Sequence, residues 1–251
     1  MAKREVIINT YPFVMSKILK PGKIGRFELY HKLIKKGTIL QLYSRRGRLF
    51  RGEYQFDYPI VSLDEDGDTW MTDSQLEVEA ISGVVCAAKG DCLIGGLGIG
   101  LLPTLIKRKV KSIDIVELHQ EVIDLVFNQI ATNKMRIVKD DIYHYLDITD
   151  NQYDFIYIDI WEAITAPLKE IDKAREKAGR CLRDGGVIWC WLQELYDRIK
   201  DKLPKTPLEV AGLPAWYEPC LICGKELRNN YAGLCMDCAD DMEVSELYVR
   251  R

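Results

Sequence analysis

The stretch Asp91–Gly100, DCLIGGLGIG, constrains this chain more than any other: a short apolar run ends in glycines at 95, 96, 98 and 100. A helix-like segment, Leu101–Arg108, follows directly. A strand that breaks into closely spaced glycines before a helix makes a tight turn free of Cβ atoms. Backbone can then approach a ligand closely, and the helix N-terminus presents free N–H groups. From Lys111 the chain reads KSIDIVELHQ, a second strand with Glu117 at its carboxyl end, 17 residues past Gly100. An acid at about 20 residues beyond such glycines is placed to hydrogen-bond ribose hydroxyls. Together these features predict a nucleoside-binding α/β unit. The competing reading is a turn that needs glycine only for packing, with Glu117 solvated.

The chain beyond the loop repeats the alternation. Met135–Val138 reads as a third strand leading into Asp140 and Asp141, and Tyr153–Ile158 as a fourth ending on Asp159. Val187–Trp191 reads as a fifth. Helices are expected over His119–Phe127, Pro167–Arg183 and Gln193–Lys202, with a brief helical turn at Ile142–Leu146. Strands alternating with helices imply parallel pairing, right-handed crossovers and helices on both sheet faces. In such a sheet, ligands bind outside the carboxyl ends of the strands. The glycine loop, Glu117, Asp140–Asp141 and Asp159 all fall there.

Residues 1–72 read mainly as β, with short strands at Val6–Ile8, Thr38–Tyr43, Arg48–Arg51 and Ile60–Leu63. Asp73 then reads as the N-cap of an amphipathic helix reaching about Ala88. The net charge of −3 hides an asymmetry, since residues 1–60 hold 13 Lys/Arg against 4 Asp/Glu. The segment YSRRGRLFRGEY, Tyr43–Tyr54, mixes arginines with aromatics around a turn. Such a ribbon suits nucleic acid, although a solvated basic hairpin is the commoner use. No secretory leader and no apolar run near 18 residues is evident, so a cytoplasmic protein is expected.

The runs LIGGLGIG, VELHQEVIDLV, RIVKDDI and YDFIYIDIW resemble class I S-adenosylmethionine-dependent methyltransferases, in their spermidine-synthase-like branch. The resemblance covers about residues 70–192 and implies a doubly wound, mainly parallel Rossmann-like sheet of strand order 3-2-1-4-5. It implies that Gly96, Gly98 and Gly100 approach the methionine part of the cofactor. Glu117 then takes the ribose hydroxyls, Asp141 the adenine amino group, and Asp159 faces the reacting centre. Trp161 is an expected substrate-side residue, and so are Asp73 and Gln75, which fall where that branch keeps its gating acids and glutamine. The chain departs from the family at Ile94, where many methyltransferases carry an acid. It departs again at Asp159–Ile160, where aminopropyltransferases carry Asp-Ser.

Four cysteines near the end, Cys220, Cys223, Cys235 and Cys238, form two C-x-x-C pairs separated by eleven residues. Four thiolates at this spacing close a tetrahedral Zn²⁺ site with no open position, which makes the expected site structural. The organisation expected is a basic β subdomain (1–72), a Rossmann-like domain (73–202), a proline-containing linker (203–217) and a zinc finger (218–251). The expected function is methyl transfer from S-adenosylmethionine to an unassigned acceptor. The alternatives are aminopropyl transfer from the decarboxylated cofactor and a non-catalytic adenosyl-binding or protein-contact module.

Overall fold

The computed structural model describes residues 5–8, 15–43, 49–54, 57–74, 77–78, 81–161, 167–193 and 196–197. Gln75, the linker and the four C-terminal cysteines therefore lie outside the described residues. Among those described, the chain forms three sheets.

Strands β1 (Glu5–Ile8), β2 (Gly22–Ile24), β3 (Phe27–Ile34), β4 (Ile39–Tyr43), β5 (Leu49–Tyr54), β6 (Tyr58–Glu65) and β7 (Asp68–Thr72) make up the N-terminal part. Two sheets divide them, ordered β1-β5-β4 and β2-β3-β6-β7. The two ends of the arginine-rich ribbon fall in the antiparallel pair β4–β5, with Tyr43 opposite Leu49, while its residues 44–48 lie outside the described residues. In the second sheet β3 pairs antiparallel with β6 over eight residues, from Phe27↔Glu65 to Ile34↔Tyr58.

The third sheet is built from β8 (Asp91–Gly95), β9 (Ser112–Glu117), β10 (Met135–Lys139), β11 (Tyr153–Ile158) and β12 (Leu182–Cys190). All its pairings are parallel, in the order β10-β9-β8-β11-β12. The order reverses beside β8, and it is outside the carboxyl ends of the strands at such a switch point that open α/β sheets bind ligands. The helices are α1 (Ser82–Ala87), α2 (Leu101–Ile106), a composite α3, α4 (Ile142–Ile148) and α5 (Pro167–Gly179). Helix α3 runs Gln120–Val122, then a π-helical turn Ile123–Phe127, then Asn128–Ile130. The expected helix over Pro167–Arg183 stops at Gly179, because β12 begins earlier than its apolar run. Leu182 pairs with Tyr153 before the register shifts around left-handed Gly185.

One apolar cluster joins the N-terminal sheet to the parallel sheet. Met15, Leu19, Phe27, Leu29, Val61 and Leu63 pack together with Ile94, Leu97, Ile99 and Val126. Asp73 stitches the same junction. It is 1% exposed, and its carboxylate accepts from Met15 N–H at 2.9 Å and Val61 N–H at 2.6 Å. Burial raises its pKa, while those two backbone hydrogen bonds pull it down. Beyond the expected N-cap role, whose N–H partners at 75 and 76 lie outside the described residues, the carboxylate thus has two long-range partners. Val78 N–H donates to the Ser74 carbonyl in the turn that follows. Meeting these two buried donors matters, since an unmet buried N–H costs about 1–3 kcal/mol.

Candidate functional site

The carboxyl edge of the parallel sheet is tied together by backbone. Gly96 N–H donates to Val116 O at 2.8 Å, Asp159 N–H to Gly95 O at 2.9 Å, and Asp140 N–H to Glu117 O at 3.1 Å. The glycine loop is held in left-handed conformation, with φ of +94° at Gly96, +50° at Gly98 and +68° at Gly100. A Cβ on Gly96 would run into the backbone carbonyl of Asp159, and one on Gly98 would lie 2.5 Å from Met71 Sδ. At Gly100 it would meet Ile130 and Val126 of α3. Each glycine is therefore needed by its surroundings, which approach too closely for a side chain.

Glu117 ends β9 and is 6% exposed. Its Oε2 accepts from Leu97 N–H and its Oε1 from His119 N–H, both at 2.8 Å. The carboxylate thus bridges the glycine loop and the turn after β9. Asp141 caps α4, with Oδ1 accepting from Tyr143 N–H at 2.8 Å and His144 N–H at 3.1 Å. Asp140 accepts from Asp141 N–H and holds His144 Nδ1 at 2.8 Å.

Asp159 is half-buried, with its carboxyl group beside Tyr157, whose hydroxyl donates to Oδ2 at 3.1 Å. Burial pushes this carboxyl up to about 7; the negative charge of Glu77 adds to the rise, and the Tyr157 hydroxyl opposes it. Tyr157 is itself held well above the ordinary phenol range by burial. Trp161 follows on the same segment. Its Nε1–H donates to Glu170 of α5 at 3.2 Å, an oxygen that also accepts from Tyr143 OH at 3.2 Å. The indole is therefore part of the packing between α4, α5 and the segment after β11.

The structure brings Gly96, Gly98, Glu117 and Asp159 to the carboxyl ends of the adjoining strands β8, β9 and β11, with Asp141 beyond them, after β10. Asp73 lies in the junction core, engaged on both oxygens. Two partners of Asp159 escaped the sequence reading. Tyr157 is the one hydroxyl in the aliphatic half of β11, and Glu77 is an acid 82 residues away in sequence. Only the first left a local signal. Cavities of about 400 and 340 Å³ open at the opposite, amino edge. The second is lined by paired charges, including Asp91, which Ser112, Arg183 and Lys111 hold well below the usual carboxylate range. Among the described residues, no group of three or more His, Cys, Asp or Glu is placed to hold a metal ion. Nor is any helix among them long and apolar enough to cross a membrane.

Residues 79–197 match the family model of the spermine/spermidine synthase domain. With the topology above, the match gives this segment, just under half of the chain, a spermidine-synthase-like fold. No curated protein matches the chain. Among solved structures it is similar to spermidine synthase from Thermotoga maritima, at 21% identity and TM-score 0.45, covering 57% of each chain. It is similar to the N-methyltransferase NodS from Bradyrhizobium japonicum WM9, at 14% identity and TM-score 0.40, covering 47% of this chain and 68% of that one. A third is DhpI, solved as a complex with SAH, at 17% identity and TM-score 0.36, covering 45% of this chain and 58% of that one. The chain thus spans between half and three fifths of the first two structures matched.

Proposed function

We propose that the chain transfers a methyl group from S-adenosylmethionine to a nucleophilic acceptor, at the carboxyl edge of β8, β9 and β11. The observation that carries this reading is the placement of the left-handed glycine loop, the buried Glu117 carboxylate and Asp159 together at the carboxyl ends of β8, β9 and β11. The cofactor supplies an alkyl carbon already activated on a sulfonium, so the protein's work is alignment and proton removal. Gly96, Gly98 and Gly100 would lie along its methionine part, Glu117 would take the ribose hydroxyls and Asp141 the adenine amino group. The two backbone bonds to Glu117 fix its orientation and leave lone pairs free for hydroxyl donors. Asp159, poised at about 7, takes the acceptor's proton. A second carboxylate, Glu77, makes that end of the crevice acidic, which favours an amine that arrives as an ammonium.

A second reading, aminopropyl transfer from the decarboxylated cofactor, is favoured by the family-model match over residues 79–197. Against it, residues 95–102, GGLGIGLL, carry no ionisable side chain to repel the carboxylate of S-adenosylmethionine. Calorimetric titration of the full chain separates the two. Micromolar binding of S-adenosylmethionine and S-adenosylhomocysteine is expected, and Glu117→Ala should weaken both by about 10- to 100-fold, the worth of one or two charge-assisted hydrogen bonds. Preference for the decarboxylated form would select aminopropyl transfer. Binding of neither would leave the non-catalytic module.

We also propose that Cys220, Cys223, Cys235 and Cys238 close a structural zinc site. Metal analysis of the purified chain should return about one zinc per chain, lost on joint Cys223→Ser and Cys235→Ser substitution. A zinc-free chain of unchanged thermal stability would retire the site.

A further inference from the structure

The pair Trp70–Met71 in β7 reaches from one lip of the crevice to the other. Met71 sets its sulfur against Gly98, in the loop after β8. Trp70 makes a T-shaped contact with His119, in the turn after β9, with ring centroids 5.6 Å apart. Between these two contacts lies Glu117, whose carboxylate ties Leu97 to His119. A strand of the N-terminal sheet therefore contacts both segments that donate to the carboxylate assigned to the ribose.

Trp70 is held in place by more than one neighbour. It meets Phe27 edge-on at 5.2 Å, and Phe27, fully buried, meets His119 at 5.0 Å. Arg26 closes this cluster from outside. Its guanidinium lies 5.2 Å from the Phe27 ring centre, Nη2 is 3.5 Å from His119 Nδ1, and Nε pairs with Glu65 at 2.6 Å. Yet Trp70 keeps 36% of its surface open, and Leu118, adjacent to Glu117, keeps 50%. An aromatic fixed by its neighbours has already lost its rotamer freedom, so a ligand that covers it gains apolar burial without further ordering cost.

We propose that Trp70 is a binding wall for the adenosyl group, its open indole surface covering the C–H face of the ribose whose hydroxyls go to Glu117. The inference rests on the adenosyl reading of the crevice. It adds a residue from the N-terminal sheet to a site otherwise drawn from the parallel sheet. It also gives that sheet a role in recognition besides packing.

The test is calorimetry on the full chain with two nucleosides, S-adenosylhomocysteine and 5′-methylthioadenosine, which share the ribose but differ in the amino-acid tail. Trp70→Ala is expected to weaken both by about tenfold, and Trp70→Phe, which keeps a ring, by less than about threefold. Thermal melts of each variant accompany the titrations. Undiminished binding by Trp70→Ala would overturn the proposal, as would a loss confined to S-adenosylhomocysteine. A loss as large in Trp70→Phe as in Trp70→Ala, tracking equal falls in melting temperature, would reduce the residue to packing. Wild-type protein that binds neither nucleoside would instead remove the adenosyl reading itself, a result distinct from all of these.

Discussion

Gly96→Ala is expected to destabilise the fold by about 3–5 kcal/mol, while Gly67→Ala costs only about 1–2 kcal/mol. The two glycines share the same φ, +94°, so the backbone strain of placing an L-residue there is common to both. Their surroundings differ. A Cβ on Gly67, in the β6–β7 turn, meets nothing within 4 Å, whereas one on Gly96 meets the carbonyl oxygen of Asp159. That oxygen cannot rotate away. Its residue is fixed to β8 by the Asp159 N–H bond to Gly95 O, and β8 to β9 by the Gly96 N–H bond to Val116 O. Relief requires β8 and β11 to part at the edge where the crevice forms. Gly98→Ala falls between the two, because its obstacle is the flexible Met71 side chain. Urea unfolding of the three variants gives the ranking. For a domain of this size the Gly96 effect corresponds to a fall of roughly 8–15 °C in Tm. Equal losses at Gly96 and Gly67 would mean that the close approach of loop and β11 is not real.

The parts of the site that could be read from sequence are those made by local chain. Glycines packed four to six residues, an acid closing the next strand, and acids at the ends of two more are properties of short windows, and the structure places each at a strand's carboxyl end. What escaped depends on distant partners. Strand β3, FELYHKLI, alternates cleanly only at Phe27 and Leu29; its second half is exposed on both sides and is held by its pairing to β6. Asp73 has every local mark of a helix cap, yet its oxygens also meet the distant N–H groups of Met15 and Val61, which no local pattern signals. The junction itself, where Met71 meets Gly98 and Trp70 meets His119, links residues with no periodic relation in sequence. Its one visible trace was a tryptophan in an otherwise polar strand.

Asp159→Asn is expected to stabilise the protein above neutral pH and to abolish transfer. The carboxyl titrates at 3.8 when unfolded and at about 7 in the folded chain. Between those values the folded state holds a proton that the unfolded state has released, so this group's contribution to stability falls as pH rises from about 4 to 7. At 1.36 kcal/mol per pH unit the ceiling is about 4 kcal/mol, and the water reaching a half-buried residue reduces the expected penalty to about 1–3 kcal/mol. Asparagine cannot ionise, and its side-chain oxygen can still accept from Tyr157. The variant should therefore match wild type near pH 4 and exceed it by about 1–3 kcal/mol at pH 8, measured by urea unfolding across the range. Glu77→Gln should recover a smaller part of the same gap, since its charge is the lesser cause of the shift. Parallel curves for wild type and Asp159→Asn from pH 4 to 8 would show that the carboxyl is not perturbed. On the methyl-transfer proposal, a group that costs the fold stability at the working pH is retained for its chemistry, and its removal is expected to cost about 10²- to 10⁴-fold in transfer. The pH dependence of transfer then carries the opposite sign to that of stability. Rate rises through about pH 7 as Asp159 becomes a base, over the same range in which the fold loses part of its margin.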